Sequence, residues 1–326
     1  MSVPTDHLRG VDQSLDRPAR RRGKGLLTYA SANRRRPWML LLPTFIVLGL
    51  LLLYPMLRVL ILSMQDFGLR ELVSGDADFV FLDNFREVLT DSTMWRYALP
   101  NTVLFSVACV ILTVVVGTAV AMLLAKLSGW ARILVTTAVM TAWAVPAVTG
   151  TYVWIYLFDA RSGFLTHLLS DAGFIDMATT NIFSERFWFY AVATLNVVHH
   201  GFPFVAITVL AGLLTVPTEL HEAAAIDGAG AWKRFWLITA PILKPVFAIV
   251  TILSTIWDFK VFTQIYLMPG GDGANQEVLN LGVWSYVSAM SQNRFGLGAA
   301  IAVLLTLVLL GITIFYLRTL FKEDTS

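Results

Sequence analysis

Charge is scarce in this chain. Asp, Glu, Lys and Arg make up 14% of its 326 residues, against about 25% in a typical soluble protein. The net charge of +2 does not point to nucleic acid, because the basic residues sit where a membrane topology needs them. Cysteine is almost missing. Cys109 is the single one, so no disulfide forms within the chain, and its apolar surroundings keep it inert. No G-x-x-x-x-G-K-[ST] occurs, so any nucleotide hydrolysis belongs to another chain. Paired catalytic carboxylates, a His-rich metal cluster and a nucleophile elbow are all absent from the sequence, which argues against an enzyme. The five histidines are scattered. His199 and His200 are adjacent on one helix and point apart, so they are no metal pair. His221-Glu222-Ala223-Ala224-Ala225 is not a metalloprotease motif, because Ala225 stands where a second histidine belongs.

What is abundant is apolar. Hydrophobic residues make up 56% of the chain, and the mean hydropathy is +0.68. Six runs, near 38–62, 99–125, 133–158, 187–214, 245–268 and 296–317, are long enough to cross a hydrocarbon core, which takes roughly twenty residues. The sequence therefore reads as an all-α integral membrane protein with six transmembrane helices. An even number of spans puts both termini on one side. With the termini in the cytoplasm, the four inner segments hold 9, 2, 3 and 2 Lys and Arg, and eight of the 24 lie elsewhere, as the positive-inside rule requires. Residues 1–36, with Arg20-Arg21-Arg22 and Arg34-Arg35-Arg36, read as a basic disordered cytoplasmic tail. Residues 37–320 form one six-helix domain, and 321–326 a short C-terminal tail. The first helix reads as a retained span, not a cleaved signal.

The loop between the fourth and fifth spans, residues 215–244, is the organising feature. About thirty residues is long for a link between membrane helices, and long ordered loops usually carry function. Pro217 suits a first helical turn. Glu219 and Glu222 favour the positive end of that helix. Asp227-Gly228 reads as its stop. A second amphipathic helix follows, with Trp232, Phe235, Trp236 and Ile238 apolar and Lys233 and Arg234 polar. Two short helices lying at the membrane surface with an exposed acidic end make a docking element.

The spacing Glu222-Ala223-Ala224, then Gly228, then Ile238 and Pro241 resembles the cytoplasmic signature of permease subunits of ABC importers, of the maltose and oligosaccharide type. Ala240 stands where that family usually has leucine. The resemblance implies that Glu222, Ala223, Ala224, Asp227, Gly228, Ile238 and Pro241 form the coupling helix that sits in a groove of a separate ATPase. Tyr54-Pro55, the Phe79–Leu89 phrase with Asn101 and Thr102, and Gly270-Gly271 also fit the family, Asp272 replacing its final proline. The resemblance covers residues 38–320. It implies a second permease subunit, an ATP-binding cassette ATPase dimer carrying the ATP and Mg, and an extracytoplasmic solute-binding protein. It also implies a sugar substrate, a bacterial inner-membrane location among lipid, and no cofactor on this chain.

Several spans carry polar or helix-breaking residues at membrane depth. Trp143, Pro146, Thr149 and Gly150 interrupt the third, and Asn196, His199, His200, Gly201 and Pro203 the fourth. Such positions are tolerated against protein or a wet cavity, so they mark either kinked packing or a pathway. In the fifth, Asp258 and Lys260 fall inside an apolar run. A charge near mid-bilayer costs on the order of 3 kcal/mol, and residues two apart do not face each other on a helix. Either the pair meets a polar cavity, another subunit or the solute, or the helix is shorter than the run and both charges lie at the outer interface. The resemblance implies sugar contacts at His200, Gly201, Phe204, Trp257, Asp258 and Lys260. The expected function is a permease for a di- or oligosaccharide, with an amino-sugar disaccharide as one candidate. A glycerol-phosphate or polyol importer is the alternative, and a self-contained secondary transporter using Asp258 a more distant one.

Overall fold

The computed structural model describes residues 36–323. Apart from Arg36, the 1–36 tail lies outside the described residues. Of 321–326 only the helical backbone to Glu323 is described. By internal contacts the chain divides into two units, Met1–Met56 and Leu57–Ser326. All packing discussed below lies within the second.

Five helices among the described residues are long and apolar enough to cross a membrane: Trp38–Leu62, Met94–Lys126, Arg186–Leu213, Lys244–Leu267 and Phe295–Arg318. The protein is a multi-pass, all-α membrane protein. The third run is not one straight helix. It is Gly129–Trp143 followed by Ala147–Leu157, with a bend of 90° between them. Pro146 lies at the bend and precedes the first turn of the second piece. Having no N–H and disfavouring helical backbone in the residue before it, proline ends the first piece. The only strands among the described residues form a two-residue hairpin, Gln65 opposite Phe79 and Asp66 opposite Asp78.

The second and fourth spans form the spine. Phe105 and Cys109 of one pack in a buried cluster with Phe189, Val192, Ala193 and Val197 of the other. Nearer the loop-bearing end, Ala121 and Leu124 meet Val205, Val209 and Leu210 with Leu243 and Val250 of the returning chain. The backbones approach closely at Gly117, where an added Cβ would stand 2.6 Å from Val205 Cβ and 3.1 Å from the Ala206 nitrogen. Small residues allow such approaches between membrane helices. Gly117→Ala is therefore expected to destabilise by about 1–3 kcal/mol through overpacking. A thermal melt in detergent should show the midpoint falling by roughly 5 °C.

The opposite end is tied by polar contacts. Buried Asn101 donates from Nδ2 to the Glu277 and Leu279 carbonyls at 2.9 and 2.8 Å, and its Oδ1 accepts from Arg186 Nε at 2.8 Å. The Tyr190 hydroxyl donates to the Val278 carbonyl at 2.9 Å, and the Leu281 amide donates to Thr102 Oγ1 at 2.9 Å. Arg294 grips Glu87 with two bonds of 2.6 Å. That carboxylate holds the guanidinium pKa above its ordinary value.

Candidate functional site

The loop-bearing end is built from local chemistry. Pro217 leads into the helix Thr218–Ile226, with Glu219 in its first turn. Asp227 caps it, and Gly228 follows with φ +78°. The Gly228 amide donates to the Ala225 carbonyl at 3.1 Å and the Ala229 amide to the Ala224 carbonyl at 2.9 Å. This double closure needs a left-handed residue, which glycine supplies without strain. The chain returns as a helical run, Ala231–Arg234, then a wider turn at Phe235–Thr239, then Ala240–Ile242. Trp232 stacks on Phe235 at 6.4 Å and meets Trp236 edge-on at 5.7 Å.

His221 ties the two arms together. Its carbonyl accepts from Arg234 Nη1 at 3.3 Å, and its Nε2 lies 3.5 Å from Thr239 Oγ1. The predicted docking residues divide accordingly. Glu222, Ala223, Asp227 and Gly228 are exposed, as is Pro241, while Ala224 and Ile238 are half-buried. Glu222 makes no hydrogen bond or ion pair among the described residues. The tether through His221 was not foreseen, and only its place in the helix, one residue before the exposed Glu222, hints at it.

Inside the bundle, the bend of the third span leaves a cavity of about 220 Å³ against the fourth. Gly150, Trp154, Asn196, His199 and His200 line it with Val145. Trp154 lies 6.0 Å from the His199 ring. Asn196 Oδ1 accepts from Gln264 Nε2 at 3.0 Å. The wall thus combines aromatic faces with a few polar groups, as small-molecule sites do. His199 and His200 stand i+3 and i+4 from Asn196, so each neighbours it on the helix surface, and although adjacent residues diverge, both line this cavity. That spacing is a signal present in the sequence. Trp154 carried no such signal.

Phe204 is sandwiched between two tryptophans, its centroid 6.5 Å from Trp143 and 4.9 Å from Trp257. Trp257 is 43% exposed. The structure brings Phe204 and Trp257 together and puts His200 in the cavity. Gly201 packs towards Thr113, where a Cβ would stand 3.1 Å from its methyl. Asp258 and Lys260 separate. The helix beginning at Lys244 ends at Asp258. Asp258 is 7% exposed, with its Oδ2 lacking a hydrogen-bond partner among the described residues. Lys260 is exposed in the turn that follows, and neither residue lines the cavity.

A sequence profile of the family described as binding-protein-dependent transport system inner membrane component matches residues 114–325. The chain is 38% identical over 293 residues to the diacetylchitobiose uptake system permease protein DasB of Streptomyces coelicolor, covering 90% of this chain and 89% of that one. It is 31% identical over 287 residues to the sulfoquinovosyl glycerol transport system permease protein SmoG of Agrobacterium fabrum, covering 88% and 90%. Its fold matches a chain of a bacterial ABC transporter involved in the import of the acidic polysaccharide alginate. There the TM-score is 0.74 at 19% identity, with 90% of this chain and 98% of that one covered.

Proposed function

The chain belongs to the family of binding-protein-dependent transport system inner membrane components, and from that premise we propose that it is the permease subunit of an ATP-driven importer of a di- or oligosaccharide. An amino-sugar disaccharide is the first candidate. The observation that carries this reading is the likeness to the diacetylchitobiose permease, which extends over 90% of the chain. In this reading the chain is half of a translocation path and pairs with a second permease. ATP and Mg are bound by a separate ATPase dimer, and an extracytoplasmic binding protein delivers the sugar. Both termini and the 215–244 loop face the cytoplasm, and the exposed helix carrying Glu222 docks in the ATPase. Closure of the ATPase dimer moves that helix and rocks the permeases between inward- and outward-facing states.

The path is lined by Trp257, Phe204 and the His200 face of the fourth span. Aromatic faces hold the apolar side of a sugar ring, and polar groups fix its orientation. Asp258 and Lys260 act nearby, the first from a buried position and the second from an exposed turn. The sulfoquinovosyl glycerol relative supports an anionic or polyol glycoside as the second reading, for which Lys260 would supply a counter-charge.

Uptake of labelled diacetylchitobiose by the native host, with this chain deleted and then restored, tests the assignment. Deletion should abolish uptake and restoration should recover it. Trp257→Ala should lower maximal uptake about tenfold, the loss of roughly 1.4 kcal/mol at one aromatic contact. The concentration for half-maximal uptake should stay put, because the binding protein sets it. Undiminished uptake in the deletion strain overturns this sugar, and a labelled sulfonated glycoside then tests the second reading. Uptake by the purified chain alone, without ATPase, overturns the importer itself and favours a secondary transporter.

A further inference from the structure

A second cavity, of about 340 Å³, lies where the second and fourth spans end against the loop. Lys126, His221, Arg234 and Thr239 form its polar wall, and Met122 and Leu213 lie on its apolar side. Among the described residues no carboxylate lines it. Lys126 is the last residue of its helix, where unpaired carbonyls would ordinarily attract it. That task is taken by Arg132, whose guanidinium donates to the Leu124, Ala125 and Leu127 carbonyls at 3.0, 3.1 and 3.1 Å. Lys126 is left without a hydrogen bond or ion pair among the described residues. Arg234 spends Nη1 on the His221 carbonyl, but its Nε is buried with no acceptor. A buried donor without a partner is a standing penalty that a bound oxygen would relieve.

The surroundings say which oxygen. The cavity sits at the ends of two spans, and the ends of a span are where hydrocarbon gives way to headgroups. Trp232 and Trp236 are 74% and 53% exposed on the adjoining run, with Leu237 also exposed. Tryptophans in that position mark the membrane interface, and basic pockets between helix ends there hold lipid phosphates. We propose that this cavity binds the phosphate of an anionic phospholipid, between Lys126 and Arg234, with an acyl chain running past Met122 and Leu213. A free phosphate offers the same charge but nothing for the apolar side. The lipid would brace the junction between the docking helix and the spine, through Arg234 and His221. This goes beyond the importer reading and holds whichever sugar is carried.

The test is native mass spectrometry of the full-length chain, purified with whatever partners it retains and exposed to equal amounts of phosphatidylglycerol and phosphatidylcholine. The wild type should retain phosphatidylglycerol preferentially. Lys126→Gln should lower that retention about fivefold, and Lys126→Gln with Arg234→Gln about 30-fold, while Lys126→Arg keeps it. Lys126→Gln carries the decision if the Arg234 change disturbs the loop, because Lys126 bonds nothing else among the described residues. Equal retention of the two lipids, or unchanged retention in Lys126→Gln, overturns the proposal. An excess of inorganic phosphate should not displace the lipid. If it does, the site takes soluble phosphate and the lipid assignment falls.

Discussion

Glu222→Arg is expected to abolish sugar uptake while leaving the chain folded and inserted. Glu222 is exposed, bonds nothing among the described residues, and lies on a helix whose stop is fixed elsewhere, by Gly228 and the Ala224 and Ala225 carbonyls. Substitutions at such positions usually change stability by less than about 0.5 kcal/mol. The cost should fall on an interface instead. If the helix sits in a groove of an ATPase, reversing its central charge costs about 2–5 kcal/mol. That range is a loss of roughly 30- to 5,000-fold in association. Co-purification of the ATPase with the tagged chain should fail, uptake should drop to background, and the melting midpoint should not move. Normal transport by the mutant would sink the docking reading. A mutant that loses ATPase and melts early would instead make Glu222 a structural residue.

Much of the fold was legible because apolar length is a local property. Five of the expected runs are helical spans whose limits lie within a few residues of the hydropathy boundaries. The stop at Asp227-Gly228 was legible for the same kind of reason. A left-handed residue is needed there, and glycine supplies it. The 90° bend in the third span was legible only as a break. Pro146 says that the helix cannot run straight, but the direction afterwards is chosen by packing on chain that comes later, including Thr263–Leu267. The fifth run is one span, Lys244–Leu267, as its hydropathy requires, but high hydropathy on both sides of Asp258 conceals a turn within it. The helix ends at Asp258 and restarts at Thr263. In the candidate path, the placing of His199 and His200 beside Asn196 follows from helical spacing. The contacts of Phe204 with Trp143 and Trp257 join three separate spans, and no periodicity reports that. His221 was likewise hidden, because its tether reaches Arg234 and Thr239 across the loop's turn.

Asn101 is where the least legible contact carries the largest expected cost to stability. Its side chain reaches 176 residues along the chain, so nothing local announces its role. It is 3% exposed and spends both amide hydrogens on the Glu277 and Leu279 carbonyls and its oxygen on Arg186. Leucine branches at the same carbon and is bulkier, so Asn101→Leu removes the polar contacts without opening a cavity. Each buried group left unpaired costs about 1–3 kcal/mol, and three groups lose their partner together. Some loss is recovered because Tyr190, Asn275 and Asn280 keep their own bonds to or from the same segment. A net destabilisation of roughly 3–5 kcal/mol follows, read as a fall of about 10 °C in the detergent melt. Asn101→Asp makes the argument sharper. It keeps an acceptor for Arg186 but loses both donations, and it sets a carboxylate against two carbonyls. It should melt no higher than Asn101→Leu. If Asn101→Asp were instead close to wild type, the bond to Arg186 would be what matters, and the 277–279 segment would be held by Tyr190 and its neighbours alone.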